Sequence, residues 1–402
     1  MGGGVSEALH RRRRARGARA LLWSAAAVAL WPSGARAGTA VTPGLRIGLE
    51  ERYDSSALLV EAGAGQLMTK LSPQLGLDLR GHTFESTGWY AADLLLRHGS
   101  GTVSLDHRGQ LKLLNRFSDR AWVDGKLSAW RVSDPTSLPR LGVATTLSPV
   151  LYGRAEAGAH ALLADRWTAG IGYAFEGGRI YDGRSAAGFV HTPSLDAWYR
   201  LSRITDLGME LRVQQFIFAA ESATAASGAA TVRHHFTRQV HGMLRAGAGT
   251  FTGQGLPAPR PYPRLQLELG RDGERVDLGL VLGHDLMGAS GFTAALWADY
   301  GSVLVDWRAL EPLKLFGAAS VYRNGHAPDA GFWPPGAPGA AQGYALAAGL
   351  EWKVTDLIAF KLQGNRYAQI GAAVPGAADL SLDVFSARVV VTPFDMAQGK
   401  DW

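Results

Sequence analysis

The chain contains no cysteine. This absence excludes disulfide bonds, thiolate metal sites, cysteine nucleophiles and a lipid anchor on an N-terminal cysteine. The mature part of the chain also lacks any run of about 18 consecutive apolar residues, so the sequence predicts no helix that spans a bilayer. If this protein enters a membrane, it must therefore do so with β-strands.

A basic and then apolar N-terminal segment has the layout of a secretory signal peptide. Six arginines between positions 11 and 19 precede the apolar segment Ala20–Trp31, which is too short to cross a bilayer as a helix. Ala35-Arg36-Ala37 then offers a small-x-small cleavage site. We expect residues 1–37 to be removed after Ala37; an arginine-rich arm for nucleic acid and a short helix of the mature fold are the alternative interpretations.

The positive net charge of the chain belongs to this leader. The formal net charge of the 402 residues is +6. Residues 1–37 carry seven Arg and one Glu, so residues 38–402 carry 34 basic and 34 acidic residues. A balanced charge gives no reason to expect nucleic acid or another polyanion as a partner.

Polar and apolar side chains alternate along many segments. In Thr102–Leu114, Val103 and Leu105 fall on one side, and Asp106, Arg108 and Lys112 fall on the other. This period of two indicates a β-strand with one apolar and one polar face. Similar segments recur between residues 44 and 394, and none follows a helical period. The sequence therefore predicts an all-β fold.

The connections between these segments also alternate, between tight and long. Ala164–Arg166 and Arg271–Gly273 are tight turns, whereas 133–148, 324–342 and 369–380 are long and rich in Gly, Ala, Pro and Ser. Outer-membrane barrels have short periplasmic turns and longer extracellular loops. We therefore predict one domain over 38–402, a transmembrane antiparallel up-and-down β-barrel of about 18 strands (16–18). A secreted β-sandwich or propeller is the alternative.

Aromatic residues near the tight turns favour the membrane alternative. Trp167, Trp198, Trp307 and Trp352 lie close to such turns, and Phe394 ends the last strand. Aromatic girdles at the two membrane interfaces are typical of outer-membrane barrels. We accordingly expect the protein to lie in the cell outer membrane, in contact with outer-membrane lipid, and to be inserted by the barrel-assembly machinery.

No motif for catalysis or cofactor binding is present. The chain has no GxSxG, no Walker A sequence and no dinucleotide fingerprint. His284-Asp285 and His234-His235 are adjacent residues, which would point to opposite faces of a strand. We expect neither an enzyme nor a metal or cofactor site. The side chains predicted to line the pore are instead Asp106, Arg108, Lys112, Glu210, Arg212, Gln214, Arg264, Glu268, Asp277, Asp306, Arg308, Glu351, Lys353 and Lys361.

Three short segments carry a family resemblance. RYDSSALL (52–59), DHRGQL (106–111) and RVSDPTSLPR (131–140) resemble outer-membrane β-barrel proteins encoded with exopolysaccharide and spore-coat polysaccharide secretion systems. These look like the outer-membrane half of a split translocon. The resemblance implies that a polysaccharide crosses through the barrel and that a periplasmic polysaccharide-export protein docks beneath it. It supplies no catalytic residues.

Two other functions stay open. The alternative to polysaccharide secretion is a general or substrate-specific porin for small polar solutes, with Phe332, Trp333 and Pro334 of the long 324–342 loop as a possible constriction. A barrel enzyme comes third.

Overall fold

A computed structural model describes residues 39–55, 65–133, 150–180, 187–218, 222–253, 258–288, 295–326, 341–370 and 380–394. The predicted signal peptide and the predicted constriction at 332–334 lie outside these residues. The described residues form eighteen strands: Ala40–Asp54 (β1), Gln66–Arg80 (β2), Phe84–Arg97 (β3), Thr102–Ser118 (β4), Ala121–Val132 (β5), Val150–Ala164 (β6), Trp167–Ile180 (β7), Gly188–Arg200 (β8), Thr205–Ile217 (β9), Ser222–His235 (β10), Val240–Gly253 (β11), Arg260–Arg271 (β12), Val276–Gly288 (β13), Ala295–Leu310 (β14), Leu313–His326 (β15), Ala341–Lys353 (β16), Ile358–Ile370 (β17) and Leu380–Phe394 (β18).

The strands close into one antiparallel barrel. Each strand pairs with its neighbours in sequence, and β1 also pairs with β18, for example through Tyr53 and Phe385. Closure joins the first and last strands, so the sheet has no edge strand. The predicted all-β, up-and-down barrel of about 18 strands is confirmed. Within the described ranges, no helix is long and apolar enough to cross a membrane.

The two rims of the barrel differ in the length of their connections. On the rim that we call lower, connections such as 81–83, 119–120, 165–166 and 311–312 are short. The start of β1 and the end of β18 also lie at this rim. The upper rim carries the long connections 133–149 and 327–340 as well as a shorter one at 98–101. The predicted alternation therefore holds with exceptions on the upper rim.

A contact across four strands identifies the inner face. Arg212 on β9 lies 2.7 Å from Asp285 on β13, although β10, β11 and β12 lie between them. At about 4.8 Å per strand the backbones are separated by about 19 Å along the wall. Side chains can meet over such a span only on the concave face. Arg212 and Asp285 therefore point into the barrel, and their sequence neighbours point outward.

The outer face is an apolar band. Its exposed side chains include Leu75, Val103, Leu105, Ile171, Leu195, Met209, Leu211, Leu265, Leu282, Val303, Val321, Leu346 and Leu362. Such an apolar band matches the hydrocarbon core of a bilayer, and strand pairing around the closed barrel satisfies most backbone groups within the sheet. The protein is an outer-membrane barrel.

Aromatic side chains mark the lower end of this band. Trp167, Trp307, Trp352 and Phe394 are exposed on the outer face near the lower rim. Trp198 differs, since its position in β8 places it on the inner face, where the guanidinium of Arg233 lies 4.6 Å from its ring centroid. An aromatic residue near a tight turn therefore belongs to the membrane girdle only if its side chain is on the outer face of its strand.

Prolines explain gaps in strand pairing. The β2–β3 register skips Ser72 and Pro73, and the β8–β9 register skips Thr192 and Pro193. Proline has no N–H to donate to a neighbouring strand. Each of these gaps is short, and pairing resumes on both sides of it.

The longest gap lies between β12 and β13. Their pairing stops at Leu265 and His284, although β12 pairs with β11 up to Arg260 and β13 pairs with β14 up to Gly288. The Asp272 N–H donates to the Gln239 carbonyl at the start of β11, so the N–H groups of odd-numbered β12 residues face β13. Residues 261 and 263 are both proline. The upper ends of β12 and β13 therefore lack backbone hydrogen bonds to each other.

Candidate functional site: the inner face of the barrel

An ion-pair cluster occupies the inner face from β9 to β13. We call Glu210, Arg212, Arg245, Arg264 and Asp285 the β9–β13 cluster. Arg264 contacts Glu210 at 2.9 Å and Asp285 at 3.2 Å, Arg212 contacts Asp285 at 2.7 Å, and Arg245 lies 3.5 Å from Glu210. Asp285 thus ties β9 and β12 to β13.

Hydrogen bonds extend this cluster down β11 and β12. Arg245 donates to Gln266 at 3.0 Å, and Gln266 donates to Glu268 at 2.5 Å. With Glu268 included, three guanidinium groups face three carboxylates. This part of the wall is therefore polar but carries no net charge.

A second cluster lies on the opposite part of the wall. Arg108 on β4 donates bidentate hydrogen bonds to the carboxylate of Asp93 on β3, from Nε at 2.6 Å and from Nη2 at 3.1 Å. The Lys70 ammonium on β2 lies 3.4 Å from the same carboxylate. Asp93 is almost fully buried. Two cations therefore share one carboxylate.

The second cluster continues across the closure of the barrel. Arg388 on β18 interacts electrostatically with Glu50 on β1 and with Glu351 on β16. Lys361 on β17 interacts with the same groups and with Arg46. We call this set the β16–β4 cluster: Arg46, Glu50, Lys70, Asp93, Arg108, Glu351, Lys361 and Arg388. It contains five cations and three carboxylates, so this half of the wall carries an excess of positive charge.

The fourteen side chains predicted from the sequence all occupy inward positions of their strands. The structure brings four of them, Glu210, Arg212, Arg264 and Glu268, into the first cluster or its hydrogen-bonded extension, and three, Arg108, Glu351 and Lys361, into the second. Those near the lower rim are Asp277, which accepts the Gly273 N–H at 3.0 Å, Asp306, which pairs with Lys314 at 2.8 Å, and Arg308 and Lys353. Lys112 lies on the inward face of β4.

Three predicted residues, Asp106, Gln214 and Arg264, are buried rather than open to the interior. Asp106 accepts hydrogen bonds from the Ser133 N–H at 2.8 Å and the Ser133 hydroxyl at 2.5 Å. Its carboxylate therefore fastens the upper end of β5 to β4. Gln214 lies in the upper part of β9, and Arg264 is buried within the β9–β13 cluster.

The sequence analysis missed several members of the clusters. Asp285 was considered only as a partner of His284, and Lys70, Asp93, Arg245 and Arg388 were not selected. Strand alternation could have found Asp285, because it shares the parity of Asp277. His284 instead faces outward and lies 2.5 Å from Asp299. Among the described residues, no group of three His, Cys, Asp or Glu side chains could hold a metal ion.

The upper ends of β13 and β14 bend inward from the barrel wall. Leu286 shares the parity of Leu282, which is 43% exposed, yet Leu286 is only 1% exposed. It packs with Ala295 against Phe216 and other inner side chains of β8 to β12. We call residues 285–288 and 295–298 the upper hairpin. Its outward-parity side chains contact the inner wall, so the upper hairpin lies inside the barrel.

Aromatic contacts hold the upper hairpin in this position. Trp297 of β14 meets Tyr262 of β12 edge to face, with ring centroids 4.9 Å apart. Between the two strands of the hairpin, the ring of His284 on β13 stacks on Trp297 of β14, with ring centroids 5.6 Å apart. The missing hydrogen bonds beside Pro261 and Pro263 allow this inward position, because the hairpin end is not tied to β12. The interior is therefore narrowed by residues of the sheet itself.

Comparisons with known proteins give a likeness of fold. No protein-family model and no curated protein matches this sequence. A BenF-like porin from Pseudomonas fluorescens Pf-5 is 9% identical, with 88% of this chain and 99% of that chain covered and a TM-score of 0.48. Pseudomonas aeruginosa OpdL is 12% identical, with coverage of 88% and 99% and a TM-score of 0.44. Pseudomonas aeruginosa OccK2 (OpdF), solved with glucuronate, is 10% identical, with coverage of 88% and 98% and a TM-score of 0.44.

The expected kinship with polysaccharide-secretion barrels is wrong. The similar solved structures are porins, and the expectation of a polysaccharide conduit with a periplasmic export partner falls with that kinship. The misleading segments were short. Residues 52–59 and 131–140 begin at strand ends, where Asp, Ser and Pro recur for turn chemistry in unrelated proteins, and residues 106–111 lie within β4, where polar and apolar residues alternate as in any barrel strand.

Proposed function

We propose that this protein is an outer-membrane porin for small polar solutes. The observation that carries the proposal is the contrast between the two faces of one closed sheet. The outer face is an apolar band, whereas the inner face carries two clusters of charged side chains of both signs. A polar lining narrowed by the upper hairpin suits a hydrated small solute rather than a polymer.

In this proposal the fourteen inward side chains line or brace the passage. Charges of both signs alternate along the wall, so discrimination between small ions is weak. The positive excess of the β16–β4 cluster gives anions a slight preference over cations. The arrangement serves transport rather than catalysis, since the charged groups are engaged with one another.

The same proposal covers export and assembly. Residues 1–37 direct the chain across the inner membrane and are removed there. The lower rim, with its short turns, the start of β1 and the end of β18, faces the periplasm. The last strand, which ends in Phe394, is recognised by the barrel-assembly machinery.

Solute entry into vesicles tests this proposal. Protein purified from outer membranes is reconstituted into liposomes, and swelling is followed with neutral sugars of increasing size. We expect monosaccharides to enter and dextrans to remain outside, while vesicles with heat-denatured protein stay tight. Absence of swelling with every solute, in vesicles where a known general porin gives swelling, would contradict a porin.

A further inference from the structure

Four enclosed polar atoms beneath the upper hairpin have no hydrogen-bond partner among the residues that the structure describes. They are Arg212 Nε, Gln214 Oε1, Ser227 Oγ and the Tyr262 hydroxyl. Gln214, Ser227 and Tyr262 are only 6%, 7% and 3% exposed. Enclosed polar atoms are nearly always hydrogen-bonded in folded proteins, and an unsatisfied one is destabilising. Four such atoms in one place indicate that something polar binds there.

The strand register places these atoms side by side. Arg212 on β9 is opposite Ser227 on β10, Ser227 is opposite Gly249 on β11, and Gly249 is opposite Tyr262 on β12. Gln214 lies one inward position above Arg212 on β9. The four groups therefore form a continuous row on the inner face, which we call the β9–β12 row.

Gly249 directs the tyrosine hydroxyl into this row. A Cβ at position 249 would lie 2.6 Å from Cε1 of Tyr262. The tyrosine ring therefore lies across β11 in the space that a side chain there would fill. Because the ring reaches from β12 over β11, its hydroxyl points toward Ser227 on β10.

The electrostatic surroundings favour an uncharged ligand. Arg212 and Arg264 both contact Asp285, and Arg264 also contacts Glu210, so the neighbouring guanidinium groups are already balanced by carboxylates. A ligand with a net charge would disturb this balance. The row itself combines an N–H donor, an amide oxygen acceptor and two hydroxyl groups that both donate and accept.

The apolar surroundings favour a ligand with C–H faces. Phe216 and Phe251 are buried beside the row, and the Trp297 ring closes it from the upper hairpin. Aromatic rings next to hydroxyl-binding groups match a molecule that carries both hydroxyls and exposed C–H bonds. We propose that the β9–β12 row recognises an uncharged, hydroxyl-bearing solute, such as a polyol or monosaccharide, which enters when the upper hairpin moves aside.

The strand pairing permits this movement. Beside Pro261 and Pro263 the hairpin end has no backbone hydrogen bonds to β12. Side-chain contacts of Asp285 and Trp297 hold it against the wall. Displacement of the hairpin therefore breaks side-chain contacts and leaves the ladders of the barrel intact. The inference rests on the proposed porin function and names its substrate class.

Flux of three related solutes tests the row. Uptake of labelled glucose, gluconate and glucosamine into proteoliposomes compares one skeleton in neutral, anionic and cationic form. We expect wild-type protein to pass glucose fastest. A Ser227→Ala, Gln214→Leu variant removes two of the four groups, and its glucose flux should fall about tenfold, as expected for two lost hydrogen bonds.

Matched variants separate recognition from misfolding. Ser128→Ala removes a serine that is equally buried on the inner face of β5, and it should leave all three fluxes unchanged. Ser227→Ala alone should give an intermediate glucose flux. Heat-modifiable migration in gels verifies that each variant is folded. Migration like that of wild type is required before a flux is interpreted.

The outcomes distinguish the two proposals. Equal flux of the three solutes through wild-type protein, or a double variant that keeps the glucose preference, overturns the recognition site while the porin proposal stands. No flux of any solute through wild type or Ser128→Ala overturns the porin proposal itself.

Discussion

Substitution of Asp285 should destabilise the barrel measurably. The Asp285→Asn variant removes the charge that Arg212 contacts at 2.7 Å and Arg264 at 3.2 Å, and the Arg264 side chain is 4% exposed. Loss of one partner from a buried ion pair costs about 3–5 kcal/mol. Arg264 keeps Glu210 at 2.9 Å, so we expect the free energy of unfolding to fall by about 2–3 kcal/mol.

Urea unfolding in lipid vesicles measures this loss, with Asp306→Asn as the matched control. Asp306 pairs with Lys314 at 2.8 Å on the same face, but both side chains are considerably more exposed. Such a pair contributes about 0–1 kcal/mol. If Asp285→Asn destabilises the barrel no more than Asp306→Asn does, Asp285 does not stabilise the contact of β13 with β9 and β12.

The same substitution should loosen the upper hairpin. The chain has no cysteine, so a Ser227→Cys variant carries a single thiol beneath the hairpin. We expect maleimide to label this thiol slowly in the otherwise wild-type protein and faster when Asp285→Asn is added. Equal labelling rates would show that Asp285 does not hold the hairpin closed.

Three further predictions concern the two faces of β13, the gap between β12 and β13, and the signal peptide. Leu282→Arg on the lipid face should lower the free energy of unfolding by about 2–4 kcal/mol, whereas Val281→Arg on the adjacent inward position should cost less; the reverse order in urea unfolding would contradict the assignment of faces. Replacing Pro261 and Pro263 by Thr introduces two N–H donors that can pair with β13. Hydrogen exchange at these two new amides should therefore be slow, and fast exchange would refute proline as the cause of the gap. Mass spectrometry of the outer-membrane protein should show cleavage after Ala37, and an intact leader would refute the signal peptide.

Much of the fold could be predicted from alternation alone. Leu207, Met209 and Leu211 face outward and Glu210 faces inward, as the period of two required. In a barrel each strand meets lipid on one side and the interior on the other, so a local pattern reports the face of nearly every residue. The strand count followed because each long or short connection interrupts the pattern.

The upper hairpin could not be predicted in this way. Leu286 continues the outward pattern of Leu280 and Leu282, yet it lies inside the barrel because β13 separates from β12 at that height. The paired prolines at 261 and 263 were the available signal, since they remove donors from one edge of β12. Alternation tells which face of a strand each side chain is on. It does not tell whether the end of that strand is hydrogen-bonded to the neighbouring strand, and this pairing decides where the end lies.

The clusters were predictable in part for a related reason. Glu210, Arg212 and Arg264 were expected on the inner face, but the sequence does not tell which inward residues meet across the barrel. That information lies in the register of strands distant in sequence. The contact of Arg212 with Asp285 depends on four successive pairings from β9 to β13.

Single-channel recording in planar lipid bilayers tests the central claim most directly. Protein purified from outer membranes should produce discrete conductance steps, with reversal potentials in a salt gradient that show a weak preference for anions. Small neutral polymers should reduce the step size, and large ones should leave it unchanged. Bilayers that stay electrically silent with folded protein would contradict the account of a barrel that passes small polar solutes.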